Sequence, residues 1–296
     1  MGEKGFNIFK TMATLDRRVI YLLIFLLVLG PVLRPLGMPL AVTEDTRLFY
    51  SYLQALDEDD VVWAAWETGF SAYNELKAGI IATYREVIMS GAKMVVAYGT
   101  VEDNAVFELV MGDPERGVRG ILTDELELYD YNYGEDYVVL GYVLVNEPST
   151  SSLARDLHGV VQNDYKGNPL AGTFFDDLND ASDFTLIIDF SPGMQTQSMI
   201  RHWVQDYGTP MIEGAIGVNI PSLMPYRDTG DLLAMLQSTR GSAELEYLSG
   251  YPGPGLTSMD AFTLIHYLII LFIIMGNIGF FMWERNQRDR VRTAIR

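Results

Sequence analysis

The hydrophobic positions of this chain form two long apolar stretches near its ends and shorter patterned runs between them. The first stretch runs without a charged residue from Val19 to Leu33. Its 15 residues would cover about 22 Å as a helix, less than the roughly 30 Å of a bilayer core. A crossing helix must therefore continue past Arg34 to Val42, and we predict transmembrane helix 1 at 19–42. A cleaved signal peptide is the alternative, although no small-x-small cleavage site follows the apolar run.

The second apolar stretch, Ala261–Trp283, is 23 residues long and carries no formal charge. This length spans a bilayer, and we predict transmembrane helix 2 at 259–283. Within it Gly276 and Gly279 are small and Asn277 is polar, which favours close helix contact. We expect these three residues to pack either against the first span or against another subunit.

Charge is distributed unevenly along the chain, whose net charge is −18. The segments 1–18 and 284–296 together carry +5, which leaves −23 for the residues between them. By the positive-inside rule both basic tails lie in the cytoplasm, and the segment 43–258 lies outside it. We therefore expect a two-pass protein of the cell (inner or cytoplasmic) membrane whose partner is the lipid bilayer. The acidity argues against nucleic acid as a partner and is equally typical of salt adaptation.

Between residues 43 and 258, short apolar runs alternate with longer runs of helical periodicity. Such alternation is typical of a parallel sheet covered on both faces. We predict an α/β fold with a Rossmann-like, doubly wound, mainly parallel sheet, inserted between two transmembrane helices. The predicted strands are 61–66, 93–98, 137–142, 184–190 and 210–218, and the predicted helices are 72–89, 101–111, 123–131, 150–161, 195–207, 231–237 and 243–248.

In sheets of this kind ligands bind beyond the carboxyl ends of the strands. The loop after the most regular strand carries Asp189, Ser191 and Gly193, and a predicted helix then begins with Gln195 and Thr196. Free backbone N–H groups at a helix start bind anions or carboxylates, so these five residues form the candidate ligand site. A structural interpretation stays open, in which Ser191 or Gln195 caps the helix and Gly193 permits the turn. Further candidate loops are 67–69, 99–100, 146–150 and 219–222.

Several kinds of chemistry are absent from the sequence. Without Cys there is no thiolate zinc site, iron–sulfur cluster or cysteine nucleophile. The glycine-rich nucleotide motifs and the G-x-S-x-G nucleophile elbow are also missing. Two histidines in the outer domain are too few for a three-histidine zinc site, and the acidic runs 57–60 and 176–183 lack calcium-loop spacing. We predict no cofactor and no metal, and interpret both runs as solvated turns.

Four stretches carry a resemblance: Tyr133–Tyr137, Asp164–Gly167 with Pro169 and Leu170, Tyr207–Pro210, and Leu233–Glu246 with Arg240-Gly241 and Ala243-Glu244. With them the chain resembles a family of two-span membrane proteins that have an extracytoplasmic α/β domain and no known activity. The resemblance covers most of the chain and its motifs are structural. It implies the two-span architecture and transfers no substrate, cofactor or catalytic residue.

Three functions fit these patterns. The leading expectation is a non-catalytic subunit or scaffold of a larger membrane assembly, a homo- or hetero-oligomer formed through the transmembrane helices. The alternative is an extracytoplasmic ligand-binding or sensing module that works with a partner protein, since neither cytoplasmic tail is long enough for an output domain. The third is a membrane-anchored enzyme that uses Ser191 or a carboxylate.

Overall fold

The computed structural model describes residues 10–12, 14–143, 146–192 and 195–294. The chain forms two compact units. One is built from both ends of the chain, up to Met38 and from Leu256 onward, and the other is Pro39–Gly255.

The larger unit contains a six-stranded parallel sheet and a short antiparallel ribbon. The strands are β1 (Val61–Trp66), β2 (Lys93–Tyr98), β3 (Gly112–Asp113), β4 (Val118–Arg119), β5 (Tyr137–Tyr142), β6 (Leu186–Ser191), β7 (Met211–Ala215) and β8 (Ala234–Gln237). The order in the sheet is β5-β2-β1-β6-β7-β8, and β3 pairs with β4. The chain thus starts in the middle of the sheet, builds one half and then reverses direction between β1 and β6, as in Rossmann-type sheets.

The helices are α1 (Arg17–Leu33), α2 (Glu44–Gln54), α3 (Gly69–Ser90), α4 (Asp103–Met111), α5 (Thr123–Leu128), α6 (Glu147–Arg155), α7 (Leu157–Val160), α8 (Gln195–Met199), α9 (Ile220–Thr229), α10 (Ser238–Ser249) and α11 (Pro254–Ala294). A π-helical segment, Ile200–Gln205, continues α8. Short 3₁₀ turns lie at Pro114–Arg116, Phe174–Asp177 and Ala181–Asp183.

Helices cover both faces of the sheet and enclose two core layers. The first layer includes side chains of α2, α3, α4, α5 and α10, and there Trp66 stacks on Tyr84 with ring centroids 4.8 Å apart. The second includes side chains of α6, α7, α8, its π-helical continuation and α9, and there Trp63 contacts Phe184 and Trp203 at 5.4 and 4.6 Å. Burial on both faces explains why the strands are near-continuous apolar runs.

The predicted α/β fold is confirmed, and the five predicted strands lie within three residues of observed ones. The interpretation of residues 231–237 as a helix is wrong, because this segment contains β8. Leu, Ala, Met and Gln are good helix formers, so the local propensity favours a helix. Parallel pairing with β7 and the burial of Ala234, Met235 and Leu236 outweigh that propensity.

The smaller unit contains the two apolar helices. Among the described residues one helix, from Pro254 to Arg288 within α11, is long and apolar enough to cross a membrane. Its most apolar 18-residue window has a mean hydropathy of 2.2, and 11% of that window is buried. The 17-residue α1 is shorter than the span predicted at 19–42, since it ends at Leu33. Pro35 explains this end, because a residue before proline avoids the helical region, and Arg34 has φ −155° and ψ 114°.

A buried carboxylate joins the end of α1 to the beginning of α11. Asp260 accepts hydrogen bonds from the backbone N–H groups of Leu36, Gly37 and Met38 at 2.7, 3.1 and 3.0 Å. These three residues follow α1, whereas Asp260 directly precedes the charge-free stretch of α11. The end of the first apolar stretch and the beginning of the second therefore lie side by side.

Candidate functional site

Three acidic side chains lie on one face of the sheet where the strand order reverses. Asp189 on β6 is in register with Ala65 on β1 and with Glu213 on β7. Ala65 belongs to the core layer beneath α6–α9, so its register partners point to that layer too. Glu67 follows β1 two residues after Ala65 and, by the alternation of a strand, points to the same side.

Three of the five predicted site residues lie in this cluster. Asp189, Ser191 and Thr196 are buried there together. Gln195 begins α8 and is half-buried. Gly193 lies outside the described residues. A role of these residues in ligand binding stays a prediction.

The hydroxyl of Thr196 lies between two carboxyl groups. Its Oγ1 is 3.0 Å from Asp189 Oδ2 and 3.2 Å from Glu213 Oε1. A hydroxyl has one proton to donate and otherwise accepts through its lone pairs. It can therefore donate to one ionised carboxylate, while the other carboxyl must be protonated and donate to Oγ1. The contact is satisfied in full only when the pair carries a proton.

Burial raises the pKa values of all three carboxyl groups. It raises the pKa of Asp189 to about 7, although the hydrogen bond from Thr196 opposes the change. Burial, and then the charge of Asp189, raise the pKa values of Glu67 and Glu213 well above the usual range. Asp189 Oδ1 and Glu213 Oε2 are buried, and neither has a hydrogen-bond partner in the described part of the chain.

Glu67 is held closely by its neighbours. Ser191 Oγ donates to Glu67 Oε2 at 3.3 Å. Gly99, which follows β2, leaves the space that the stem of Glu67 needs, because a Cβ at residue 99 would overlap Glu67 Cγ. Glu67 and Thr150 also line a mainly apolar cavity of about 20 Å³, which has room for roughly one water molecule.

Asp103 fixes the two loops at this edge of the sheet. Its Oδ1 accepts from Thr68 Oγ1 at 3.1 Å and from the Gly69 N–H at 2.7 Å. Its Oδ2 accepts from the backbone N–H and the hydroxyl of Thr100, both at 2.8 Å. Because Asp103 is fully buried, these four bonds hold the loops after β1 and β2 in one arrangement.

Glu213 is absent from the predicted site, and Glu67 belongs only to one of the further candidate loops. A signal for both exists in the sequence. Each is an acidic residue within or directly after an apolar run that is predicted to be buried, and Glu and Asp are rarely buried without a reason. That Glu67 and Glu213 lie close together depends on the order of the strands in the sheet, which the hydrophobic periodicity of the sequence does not predict.

The cluster is acidic, whereas a site that binds an anion needs positive charge or free N–H donors. Ionised carboxyl groups repel the anion that we expected at the start of α8. No group of three His, Cys, Asp or Glu side chains among the described residues has a geometry that could hold a metal ion. Neutral or cationic groups with hydrogen-bond donors are therefore the ligands that suit the cluster.

The histidines of the domain are engaged elsewhere. His202 Nε2 lies 2.7 Å from Glu147 Oε2, and the ring of His158 packs edge-on against Phe175 with centroids 5.3 Å apart. The described contact of the Ser191 hydroxyl is with the carboxylate of Glu67. The described contacts of both histidines are with groups other than Ser191.

The two acidic runs form turns. The N–H of Asp57 donates to Asp60 Oδ2 at 2.9 Å, closing the turn before β1. Asp180 and Asp183 form a capping box around the 3₁₀ turn at Ala181–Asp183. The interpretation of these runs as solvated turns agrees with these bonds.

The three polar or small residues of α11 differ in environment. Gly279 is buried within its unit, whereas Asn277 is exposed. A Cβ at Gly276 would meet nothing within 4 Å in the part of the chain that the structure describes. The surface around Gly276 and Asn277 is therefore available for contact with another helix.

Comparisons of the chain with protein-family models, with curated proteins and with solved structures find no match. The family resemblance of the sequence consequently stays a prediction.

Proposed function

We propose that this protein is a membrane-anchored subunit of a larger assembly and that its α/β domain, outside the cytoplasm, binds a small ligand at the carboxyl edge of the sheet. The convergence of Glu67, Asp189 and Glu213 at the point of strand reversal carries the ligand-binding part of the proposal. Rossmann-type sheets bind their ligands at this point.

The energetics of the cluster support a functional role. A buried polar atom without a partner costs about 1–3 kcal/mol, and buried carboxyl groups are more costly when ionised. Asp189 and Glu213 each contain such an oxygen. Apolar side chains at these two positions would pack in the same layer without that cost. Acidic groups with raised pKa values near strand ends are typical of functional sites.

The chemistry of the unpartnered oxygens indicates the class of ligand. Asp189 Oδ1 and Glu213 Oε2 are acceptors, so they suit a ligand that donates hydrogen bonds. A primary amine, a guanidinium or a polyol offers such donors. A carboxylate offers only acceptors, and a carboxylate or phosphate brings negative charge to an acidic cluster.

A panel of small probes tests ligand binding. Thermal unfolding of the full chain in detergent is followed with agmatine, ethanolamine and glycerol as donors, and with succinate and phosphate as anions. We expect at least one donor to stabilise the wild type and the D228N variant, which removes an exposed charge, but not D189N. Equal shifts in D189N and wild type, or stabilisation by anions alone, would refute the proposed site.

We also propose that both apolar helices cross the membrane, with both termini in the cytoplasm. The basic residues outside the two apolar stretches favour this orientation. Residues 36–38 donate hydrogen bonds to Asp260, so the end of the first stretch lies beside the beginning of the second, which supports a two-pass arrangement. Most apolar side chains of α1 and α11 are exposed, so lipid would cover them.

Cysteine labelling tests this topology, because the chain has no cysteine of its own. An impermeant maleimide is applied to intact cells freed of any outer barrier. We expect labelling of D228C before lysis and of R292C only after lysis. Labelling of R292C in intact cells would overturn the two-pass orientation.

A scaffold role has its own supporting observation in α11. Asn277 is exposed on the apolar helix, and an amide in hydrocarbon gains from a hydrogen-bond partner on a neighbouring helix. The open surface beside Gly276 allows such a helix to approach closely. The proposed assembly therefore forms through this side of α11.

A further inference from the structure

The segment 195–205, formed by α8 and its π-helical continuation, lies on the sheet through two kinds of contact. Met199, Ile200 and Trp203 contribute to the core layer beneath it. At its beginning Thr196 contacts the carboxyl groups of β6 and β7. The apolar contacts are insensitive to pH, whereas the polar contact depends on a proton. π-Helical turns are frequent at functional sites.

We propose that Asp189, Glu213 and Thr196 form a pH-sensitive latch, which holds the segment 195–205 on the sheet while the two carboxyl groups share a proton and releases it when both are ionised. The hydroxyl of Thr196 has one proton, and it cannot donate to two carboxylates at once. Loss of the shared proton leaves one buried carboxylate without a donor.

The sheet cannot relieve this repulsion, so the segment must. Asp189 and Glu213 are register partners on adjacent strands, and backbone pairing with β1 and β8 fixes their positions. Two like charges on neighbouring positions in a buried layer repel strongly. Movement of the segment 195–205 away from the strands admits water to both carboxylates at the lowest cost in backbone hydrogen bonds.

Among the groups around the pair, Glu67 strengthens the repulsion and the others are neutral. On the β1 side Glu67 adds a third acidic group, which raises the pKa of Glu213 further. From α3 on the opposite face Tyr84 is a neutral acid whose pKa is raised by burial and by the charge of Asp189. Ser191 and Thr196 supply hydroxyls and no charge.

A second titratable contact lies on the outer side of the same segment. Arg201 and His202 pair with Glu147 at the beginning of α6, and His202 Nδ1 is 3.6 Å from Asp206. Histidine is the residue type whose charge changes between pH 5 and 8. Both side chains of the His202–Glu147 pair reach solvent, which screens their interaction. The experiment must nevertheless separate this pair from the latch.

Release of the segment would uncover the carboxyl edge of the sheet. For its biological role the latch rests on the proposed ligand site, which it would open in alkaline and close in acidic conditions. For its existence it rests only on the contact among Asp189, Thr196 and Glu213.

Hydrogen exchange of the full chain in detergent tests the latch at pH 5, 7 and 9, with rates corrected for the intrinsic effect of pH. For the amides of 195–205 in the wild type we expect protection to fall at least tenfold between pH 5 and 9. E213Q removes one charge and keeps a hydrogen-bond donor for Thr196. In this variant the protection of the amides of 195–205 should stay constant between pH 5 and 9. H202Q should behave as the wild type does. T196V, which removes the hydroxyl at nearly constant shape, should lower protection already at pH 5.

Three outcomes would overturn the latch: constant wild-type protection, an equal fall in E213Q, or loss of the pH dependence in H202Q. If E213Q does not fold, D189N gives the same comparison. The ligand probes separate the two proposals. A pH-dependent segment without probe binding refutes the ligand site alone, and probe binding with a pH-independent segment refutes the latch alone.

Discussion

The packing of Gly214 on β7 leads to a quantitative prediction. A Cβ at this position would overlap the Cδ1 and Cε1 atoms of Phe190 on the neighbouring strand. Phe190 is fully buried, and its ring also lies 3.1 Å from the position of a Cβ at Gly79, so it has little room to move. Overpacking of this kind costs about 1–3 kcal/mol of stability. Because the ring of Phe190 has little room to move, we expect the loss of stability in G214A to be about 3 kcal/mol. At 2–4 °C for each kcal/mol, we expect the Tm to fall by about 6–12 °C.

Thermal unfolding of the full chain in detergent, followed by tryptophan fluorescence, measures this change. G217A is the matched control, because a Cβ there has its nearest neighbour at 3.5 Å, in Glu75 Oε1, which is ordinary contact. We expect G217A to unfold within about 2 °C of the wild type. If G214A also unfolds within that range, the packing between β6, β7 and α3 is looser than the structure describes and the reasoning is wrong.

Three further predictions concern other parts of the molecule. D103A leaves four donors in the loops after β1 and β2 without their acceptor, so urea unfolding should show a loss of about 3 kcal/mol or more. Because the pKa of Asp189 is raised in the folded protein, the unfolded chain loses this proton first as pH rises above 4. The free energy of unfolding should therefore fall by up to about 4 kcal/mol by pH 8. D189N should flatten this decline, and an unchanged slope in D189N would contradict the prediction. The double variant G276L/N277L should reduce the size of the particle in detergent without changing the Tm of the α/β domain, whereas the exposed control I274L should leave the particle intact.

Much of the larger unit could be predicted from local patterns. β1, β2 and β5 coincide with apolar runs whose two faces are both buried, and α3 coincides with a run of helical periodicity. β8 could not, because Ala234–Gln237 consists of helix-forming residues and becomes a strand through pairing with β7. Local propensity contains no information on such pairing.

The candidate site shows the same division. Asp189, Ser191 and Thr196 follow from their position at the end of one strand and the beginning of the next helix. Glu67 and Glu213 join them because β1 and β7 flank β6, although Glu67 lies more than 120 residues from Ser191 in sequence. In the smaller unit, apolar composition predicts α11, whereas the end of α1 depends on the single residue Pro35.

The hydrogen bonds of Asp260 have a consequence for biosynthesis. Their donors at residues 36–38 are translated 222–224 residues before the acceptor. At 5–20 residues per second, the ribosome needs roughly 10–45 s to cover that interval. During this time the segment after α1 has its three N–H groups without the carboxylate that later accepts them. In the proposed two-pass arrangement, α1 would therefore stay at the membrane on its own apolar surface until the second helix emerges.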